Sequence, residues 1–197
     1  MLRVKRTIWM GCAVLLWAGV ARGADTYDFD TMHTQIGFSV KHLVISTVRG
    51  NFRDFTGSIV HDPADLSKSS VTVNIKTASI DTGVQKRDDH LRSPDFFDTA
   101  KFPDLTFTSH RVSKQGEGYV AHGTLTMRGV SKEVALPFTL AGPIKGMMGE
   151  QRIAAEGIIT INRRDWGLAW DKTLETGGLV VSNEVKIEFA VQGVKKK

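Results

Sequence analysis

The sequence predicts an all-β domain, an up-and-down antiparallel β-barrel of about eight strands. Apolar and polar residues alternate along several segments, as expected for strands with one buried and one exposed face. Turn-forming residues that include Gly or Pro separate these segments at 62–63, 116–118, 128–129 and 142–143. Long strands joined by short turns, without a Cys…Trp…Cys framework, favour a closed barrel over an immunoglobulin-like sandwich.

The N-terminal residues precede this domain. A basic start is followed by an apolar stretch over 7–20 and by small residues up to Gly23. A membrane-spanning helix needs roughly 20 apolar residues, so this stretch is too short to be one. The sequence therefore predicts a cleavable signal peptide over 1–23, a single domain over 24–197 and export to the periplasm without stable membrane insertion.

Charge and cysteine content restrict the function of the domain. The whole chain has a formal net charge of +5, with 26 basic and 21 acidic residues. The leader holds four of the basic residues and no acidic one, so the mature chain has 22 against 21, a net charge of +1. A nucleic-acid-binding surface is therefore not expected. The single cysteine, Cys12, lies in the leader, so the domain folds without disulfides.

Three segments show the strand period most clearly, namely 71–76, 133–140 and 184–192. In the first, Val71, Val73 and Ile75 alternate with polar residues, which places them on one buried face. Further strands are predicted over Gln35–His42, Phe55–His61, Leu105–Val112, Tyr119–Met127 and Ile153–Ile161.

The segment 87–107 interrupts this series of strands. Pro94 follows Ser93 at a favourable first helical position, and Asp95 lies in the opening turn, where the helix dipole favours acids. Pro103 then ends the helix before the next strand. We therefore expect a short helical insert near 93–101. Its aromatic residues either form a plug over an apolar interior or dock on the core as a surface helix.

A series of short motifs runs through the predicted domain in a characteristic order. They are Tyr27-Asp28-Phe29-Asp30, Lys41-His42, Gly50-Asn51-Phe52, Ile80-Asp81-Thr82, Asp95-Phe96-Phe97-Asp98, Gly123-Thr124-Leu125-Thr126-Met127-Arg128-Gly129 and Asn162-Arg163-Arg164-Asp165-Trp166-Gly167. In their order and spacing the chain resembles the YceI-like family, the polyisoprenoid-binding proteins of the bacterial periplasm. The resemblance implies a lipocalin-like barrel with an elongated apolar cavity that takes an isoprenoid chain or a similar long lipid.

The ligand-binding residues are expected on the inner faces of the strands and on the insert. Most alternate with polar positions or match the family's apolar positions; His42 offers a polar contact at the cavity mouth, and Trp166 shapes one end. We expect Leu91, Phe96 and Phe97 to close one end and contact the ligand, with one phenylalanine facing the cavity and the other the barrel rim. The full set is Phe38, His42, Phe52, Phe55, Val73, Ile75, Leu91, Phe96, Phe97, Phe107, Leu125, Phe138 and Trp166.

Metal-dependent and nucleophilic chemistry find little support in the sequence. None of the six histidines forms a His-x-x-x-His or His-Glu-x-x-His motif, and no Gly-x-Ser-x-Gly motif is present. We therefore expect no metal, no cofactor and no catalytic residue. Arg163 and Arg164 either bind a diphosphate head group or fix a corner of the barrel by pairing with Asp165 or Asp171; the second interpretation is favoured.

Taken together, the residues and the resemblance predict a periplasmic, non-enzymatic carrier of a long-chain isoprenoid or related lipid. Two alternatives remain open: an enzyme acting on such a lipid, and a structural or stress-protective barrel with a filled core. Apart from the lipid no partner is indicated, and whether two copies form a homodimer is left open.

Overall fold

The computed structural model describes residues 23–173 and 179–197 of the 197-residue chain. The predicted signal peptide falls almost entirely on 1–22, outside the described residues. The elements are β1 Asp25–Phe29, β2 Gln35–His42, β3 Ser46–Phe52, β4 Phe55–His61, β5 Ser70–Lys76, β6 Ile80–Asp81, α1 Gln85–Arg92, β7 Asp104–Gln115, β8 Gly118–Met127, β9 Val130–Lys145, β10 Gln151–Asn162 and β11 Val181–Lys195. Short 3-10 turns occur at Leu66–Lys68, Thr77–Ser79 and Arg163–Trp166.

Eight strands close into an antiparallel barrel. β1, β4, β5, β7, β8, β9, β10 and β11 are hydrogen-bonded neighbours in that order, and β11 returns to pair with β1. Closure leaves this ring without an unpaired sheet edge, because each strand has a partner on both sides. The predicted fold class, a lipocalin-like all-β barrel of about eight strands, is confirmed.

A hairpin of β2 and β3 extends from the ring. One edge of β11 pairs with β10, while its other edge pairs with β2 over 181–190 and with β1 over 193–195. The short β6 adds to the far side of β3. β1 consequently lies beside β4, and the strictly up-and-down order is interrupted at this place only.

The strand predictions agree closely with the structure. β2 and β4 have the predicted bounds, and β7, β8 and β10 contain the predicted segments and extend beyond them. The predicted turn at Gly142-Pro143 is wrong, because β9 continues through it to Lys145. Opposite this point the pairing with β10 shifts between Arg152 and Ala154, so a local irregularity replaces the turn.

The helical insert was predicted eight residues too late. The helix α1 occupies Gln85–Arg92, and 94–101 forms a series of turns. Ser93 has an extended backbone (φ −69°, ψ 170°), as the residue before a proline prefers, so Pro94 follows the end of the helix and does not begin one. The start of α1 is supported by Asp88, whose carboxylate accepts hydrogen bonds from the backbone N and the hydroxyl of Thr82.

Candidate functional site

The barrel encloses an apolar cavity of about 160 Å³. Its wall is built from the inward-facing residues of nearly every strand, beginning with Phe29 on β1 and ending with Val191 on β11. Besides Tyr119, the polar side chains of the lining are those of His61, Ser69 and Ser70, and these three lie at one end. Because the remaining wall is hydrocarbon and aromatic, the cavity suits an apolar chain and offers no interior partner for a charge.

The cavity is long and narrow. Along β7 its wall extends from Leu105 to Val112, seven residue-to-residue steps of a strand, or about 24 Å at ~3.4 Å per step. On the neighbouring β5 it extends from Ser70 to Ile75. An interior of this shape accommodates an extended chain better than a compact ring system.

One end of the cavity, here called the plug end, is covered by the plug, residues 93–103. Phe97 in the plug is 8% exposed, and its ring lies edge-on against Phe52 with the centroids 5.9 Å apart. Phe52 lines the cavity and contacts the ring of Phe38 at 6.0 Å. Phe96 faces a different direction, against Trp170 at 5.3 Å. The two adjacent phenylalanines therefore face different directions, but they lie on turns and not on a helix, and neither is part of the cavity wall that one of them was expected to face.

Arginine side chains hold the plug and α1 in place through backbone carbonyls. Arg128, in the β8–β9 turn, donates hydrogen bonds to the carbonyl oxygens of Phe96 and Pro94. Arg92, in the last turn of α1, donates to Ala78 and Ile80 at 2.8 and 2.7 Å. These contacts hold the middle of the insert, with Arg92 bound to the segment before α1 and the plug bound to the β8–β9 turn. The aromatic residues of the plug are thereby buried against the core.

The structure agrees with the favoured interpretation of Arg163 and Arg164, in which they fix a corner of the barrel. Arg163 is 3% exposed and donates to the carbonyl oxygens of Leu168, Val181 and Ser182, and burial lowers the pKa of its guanidinium. Arg164 forms an ion pair with Asp171 at 3.4 Å. Both arginines are engaged in fixing a corner of the barrel.

The opposite end, here called the loop end, carries the turns at 62–69, 116–117 and 146–150, and the 30–34 turn lies beside it along β11. Two of these turns are joined by Arg152, which contacts the carboxylates of Asp30 and Glu150, each at 2.7 Å. Hydrogen bonds from this guanidinium hold the pKa of both carboxyl groups below their usual values. His33 also contacts Asp30 at 2.8 Å. This network gives the loop end a defined shape.

His61 lies where the cavity reaches the loop end. It is the last residue of β4, opposite Asp25 of β1, and its side chain is part of the cavity wall. Burial lowers the pKa of the imidazole, against the opposing effect of Asp25 and Asp62. The uncharged form is therefore favoured beside the apolar wall.

Seven of the thirteen expected ligand-binding residues line the cavity. They are Phe38, Phe52, Val73, Ile75, Phe107, Leu125 and Phe138. Phe55, Leu91, Phe96, Phe97 and Trp166 belong to the core that surrounds the plug end and are not part of the cavity wall. Trp166 is buried there and donates through Nε1 to the carbonyl of Leu125 at 3.0 Å. His42, the final residue of β2, is also outside the wall.

Several residues of the wall were not among the expected site residues. On β9 and β11 the structure adds Leu136, Leu140, Ile187 and Phe189. The alternating pattern had already placed all four on dry faces, so the signal for them was present in the sequence. In contrast, Leu66 lies in the turn between β4 and β5, where the sequence has no alternating pattern that could predict a buried position.

Metal-binding clusters and membrane-spanning helices are absent from the described residues. Over 23–173 and 179–197 no group of three or more His, Cys, Asp or Glu side chains is arranged to hold a metal ion. Over the same ranges no helix has the length and apolar character needed to cross a membrane.

Comparison with known proteins identifies the family. The model of the YceI-like domain matches residues 27–193. The chain belongs to the YceI-like family.

Relatives and solved structures agree with this assignment. A UPF0312 protein of Photorhabdus laumondii is 38% identical over 186 residues, which are 94% of each chain. The crystal structure of the YCEI protein of Campylobacter jejuni is 36% identical, covers 85% of this chain and 96% of its own, and superposes with a TM-score of 0.69. A domain from Saccharophagus degradans described as polyisoprenoid-binding covers 86% of this chain and 98% of its own at 18% identity and a TM-score of 0.63; it shares the fold.

Proposed function

We propose that this protein is a periplasmic, non-enzymatic carrier that holds the apolar chain of an isoprenoid or related long lipid inside its barrel. The observation that carries the proposal is the cavity itself, whose wall is apolar over about 24 Å of strand at ~3.4 Å per residue. Saccharophagus degradans has a polyisoprenoid-binding domain of this fold, but at 18% identity the likeness reaches the fold alone. The ligand class therefore rests on the cavity and on the family resemblance.

The energy of binding supports a ligand without a charged anchor. One isoprene unit has roughly 100 Å² of apolar surface, and its burial is worth about 2–3 kcal/mol at ~25 cal/mol per Å² before ordering costs. The cavity of about 160 Å³ is smaller than the ~300–1,000 Å³ of typical ligand sites. We therefore expect a long chain to displace lining side chains as it enters.

Mass spectrometry of an organic extract from purified protein tests the proposal. A stoichiometric co-purified lipid supports the carrier. A repeated absence of lipid, with no uptake when isoprenoid alcohols are added, supports a structural barrel. Chemical conversion of the added lipid would indicate an enzyme.

Matched substitutions on one strand test where the lipid lies. Ile75 is 4% exposed and lines the cavity, whereas the adjacent Asn74 points away from it. Ile75→Asp places a charge against the apolar wall, so it should unfold the protein or abolish lipid uptake. Asn74→Asp should do neither. Equal tolerance at both positions would contradict the assigned faces, since a shift of one residue exchanges them.

We propose the periplasmic location because of the predicted leader. The mature chain is expected to start at Ala24, so the protein of the periplasmic fraction should have the intact mass of residues 24–197. A diacylated mass beginning at Cys12 would show instead that the protein is a lipoprotein.

A further inference from the structure

The neighbouring strands β9 and β10 pair over only part of their length. Their register ends at Thr139 and Glu156. Beyond this point 157–162 of β10 is in register with β11 alone, and 130–138 of β9 is in register with β8 alone. The facing edges of 133–138 and 157–162, here called the seam, therefore form no ladder with each other, although the structure describes both segments completely.

Pro137 explains why the ladder stops at this place. Its carbonyl oxygen points towards β10, because a Cβ atom at Gly157 would clash with it. The N–H and the C=O of one residue point to the same side of an antiparallel strand, so a residue at position 137 should also donate to β10. Proline has no N–H to donate, which is why it is uncommon within paired strands. The hydrogen-bonded pair that should follow Thr139 and Glu156 is consequently lost.

The seam lies beside the cavity, and the wall is packed less tightly there than on the next strand. Leu136 and Phe138 on β9 belong to the cavity wall, as does Phe189 on the far side of β10. The inward-facing side chains of β9 over 134–140 are all half-buried, whereas those of β8 over 121–127 are buried. A chain inside the cavity is therefore in contact with the loosely packed side of the barrel.

Apolar groups also flank the seam on the outer surface. Ile158 is 56% exposed, and Ala135 and Pro137 are exposed on the facing strand. Gly157 and Ile158 line a groove on this surface, and Phe189 belongs to the walls of both the groove and the cavity. A single residue consequently separates the cavity from the outer surface at this place.

Firm contacts bound the seam at both of its ends. One boundary is the pair of Thr139 and Glu156, and the other is the turn Arg163–Trp166, where Trp166 Nε1 donates to the carbonyl of Leu125 at 3.0 Å. The six residues 157–162 make the seam about 20 Å long at ~3.4 Å per residue. An opening within these limits leaves the plug and the turns of the loop end in place.

We propose that the lipid chain enters and leaves the barrel sideways through the seam, as β9 and β10 move apart. This inference rests on the proposed function, because only a protein that holds a lipid chain needs a route for it. Separating two edges that share no ladder costs less than opening a paired part of the ring. β7 also continues beyond its partner β5, but there the turn Leu66–Lys68 packs against it and covers the edge.

Reversible cross-links between β9 and β10 test this route by stopped-flow uptake and release of a fluorescent isoprenoid alcohol. Residues 24–197 contain no cysteine, so two introduced cysteines can be bridged specifically by a short, reducible bis-methanethiosulfonate linker. Ala135→Cys/Thr160→Cys places the bridge across the seam at two exposed positions. The control Ala141→Cys/Ala154→Cys places it across the paired half, where the two residues are already in register.

Bridging the seam should slow uptake and release at least about tenfold, equivalent to about 1.4 kcal/mol in the barrier to exchange. Reduction of the linker should restore both rates, and the bridged control should exchange lipid as fast as the unbridged protein. Unchanged rates with the seam bridged would overturn the proposal in favour of entry at an end of the barrel. Equal slowing of both bridged variants would overturn it in favour of a general stiffening of the barrel.

A single substitution tests the same route without a cross-link. Pro137→Thr supplies the missing N–H at a position that faces outwards, so it should extend the ladder and slow lipid exchange without changing the cavity wall. Ala135→Thr adds the same side chain on the same face, where an N–H is already present, and should leave the rates unchanged. Wild-type rates in Pro137→Thr, with amide hydrogen exchange showing that the ladder has been extended, would refute entry through the seam.

The unmodified protein separates this inference from the proposed function. Wild-type protein that takes up the probe at rates unaffected by the bridge would refute the seam alone and leave the carrier function standing. Wild-type protein that takes up no probe at all would refute the carrier function, and the route through the seam with it.

Discussion

Filling the cavity should stabilise the protein and abolish lipid uptake at the same time. Ala155 on β10 lines the cavity, opposite Leu140 of β9 and Val191 of β11. Its side chain points inwards and is only half-buried, since the neighbouring wall leaves space in front of it. Ala155→Leu places an isobutyl group in that space.

The expected magnitude follows from the cavity volume. At about 24 cal/mol per Å³, an empty volume of about 160 Å³ costs roughly 4 kcal/mol relative to a filled barrel. The three carbon atoms that Ala155→Leu adds are worth up to about 2.4 kcal/mol at ~0.8 kcal/mol each. We therefore expect a gain of about 1–2 kcal/mol after the entropy of ordering the side chain. Domains are stable by only about 5–15 kcal/mol, so this gain is readily measured.

Denaturant unfolding and equilibrium binding of a fluorescent isoprenoid probe measure the two effects. Ala135 lies on the exposed outer face of β9, so Ala135→Leu is the matched control and should change neither quantity by much. A stabilised Ala155→Leu variant that still binds the probe would show that the ligand lies elsewhere. A variant destabilised by more than about 1 kcal/mol, the range of overpacking, would show that the assumed space does not exist.

Four further substitutions test the two ends of the cavity. Phe96→Ala and Phe97→Ala each remove a buried aromatic ring and should each cost about 3–5 kcal/mol of stability. Only Phe97→Ala should speed lipid release in a stopped-flow assay, because Phe97 contacts the cavity-lining Phe52. Arg128→Leu removes two hydrogen bonds to carbonyl oxygens of the plug and should lower the free energy of unfolding by about 1–3 kcal/mol. Unchanged amide hydrogen exchange in the plug would contradict the role of Arg128 in holding it. Because burial lowers the pKa of His61, the wild-type protein should lose stability as the pH falls below about 6.5. His61→Gln should flatten this dependence of stability on pH. A variant with the wild-type pH dependence would exclude His61 as the cause.

The strands of the barrel were predictable because their residues follow a strict period. The apolar face of β9 and β11 was predicted residue by residue from alternation alone. The pairing of β11 with both β1 and β2 was not, since alternation says which face is buried and nothing about which distant strand lies alongside. β1 itself has only five residues, too few for a clear pattern.

The helix and the plug were located poorly for a physical reason. The sequence of α1, Gln85–Arg92, contains only Leu91 as an apolar residue, so it has no hydrophobic period. What holds it is a set of polar contacts, such as those of Asp88 with Thr82 and of Arg92 with backbone carbonyls. Contacts of this kind join residues 6 to 14 positions apart and produce no hydrophobic period in the sequence. The aromatic residues of the plug were noticeable in the sequence, but whether they line the cavity depended on where the insert is attached.

The two ends of the barrel differ in the polar contacts that hold them. At the plug end the guanidinium groups of Arg92, Arg128 and Arg163 donate to backbone carbonyls, which are fixed parts of the barrel and its insert. Buried aromatic side chains pack beneath them, so opening this end requires breaking both sets of contacts at once. At the loop end Arg152 joins two turns through side-chain carboxylates, and the fully buried Tyr27 and Ile153 lie next to this contact. Partly exposed ion pairs contribute little to stability, so this buried packing, more than the Arg152 contacts, holds the loop end together.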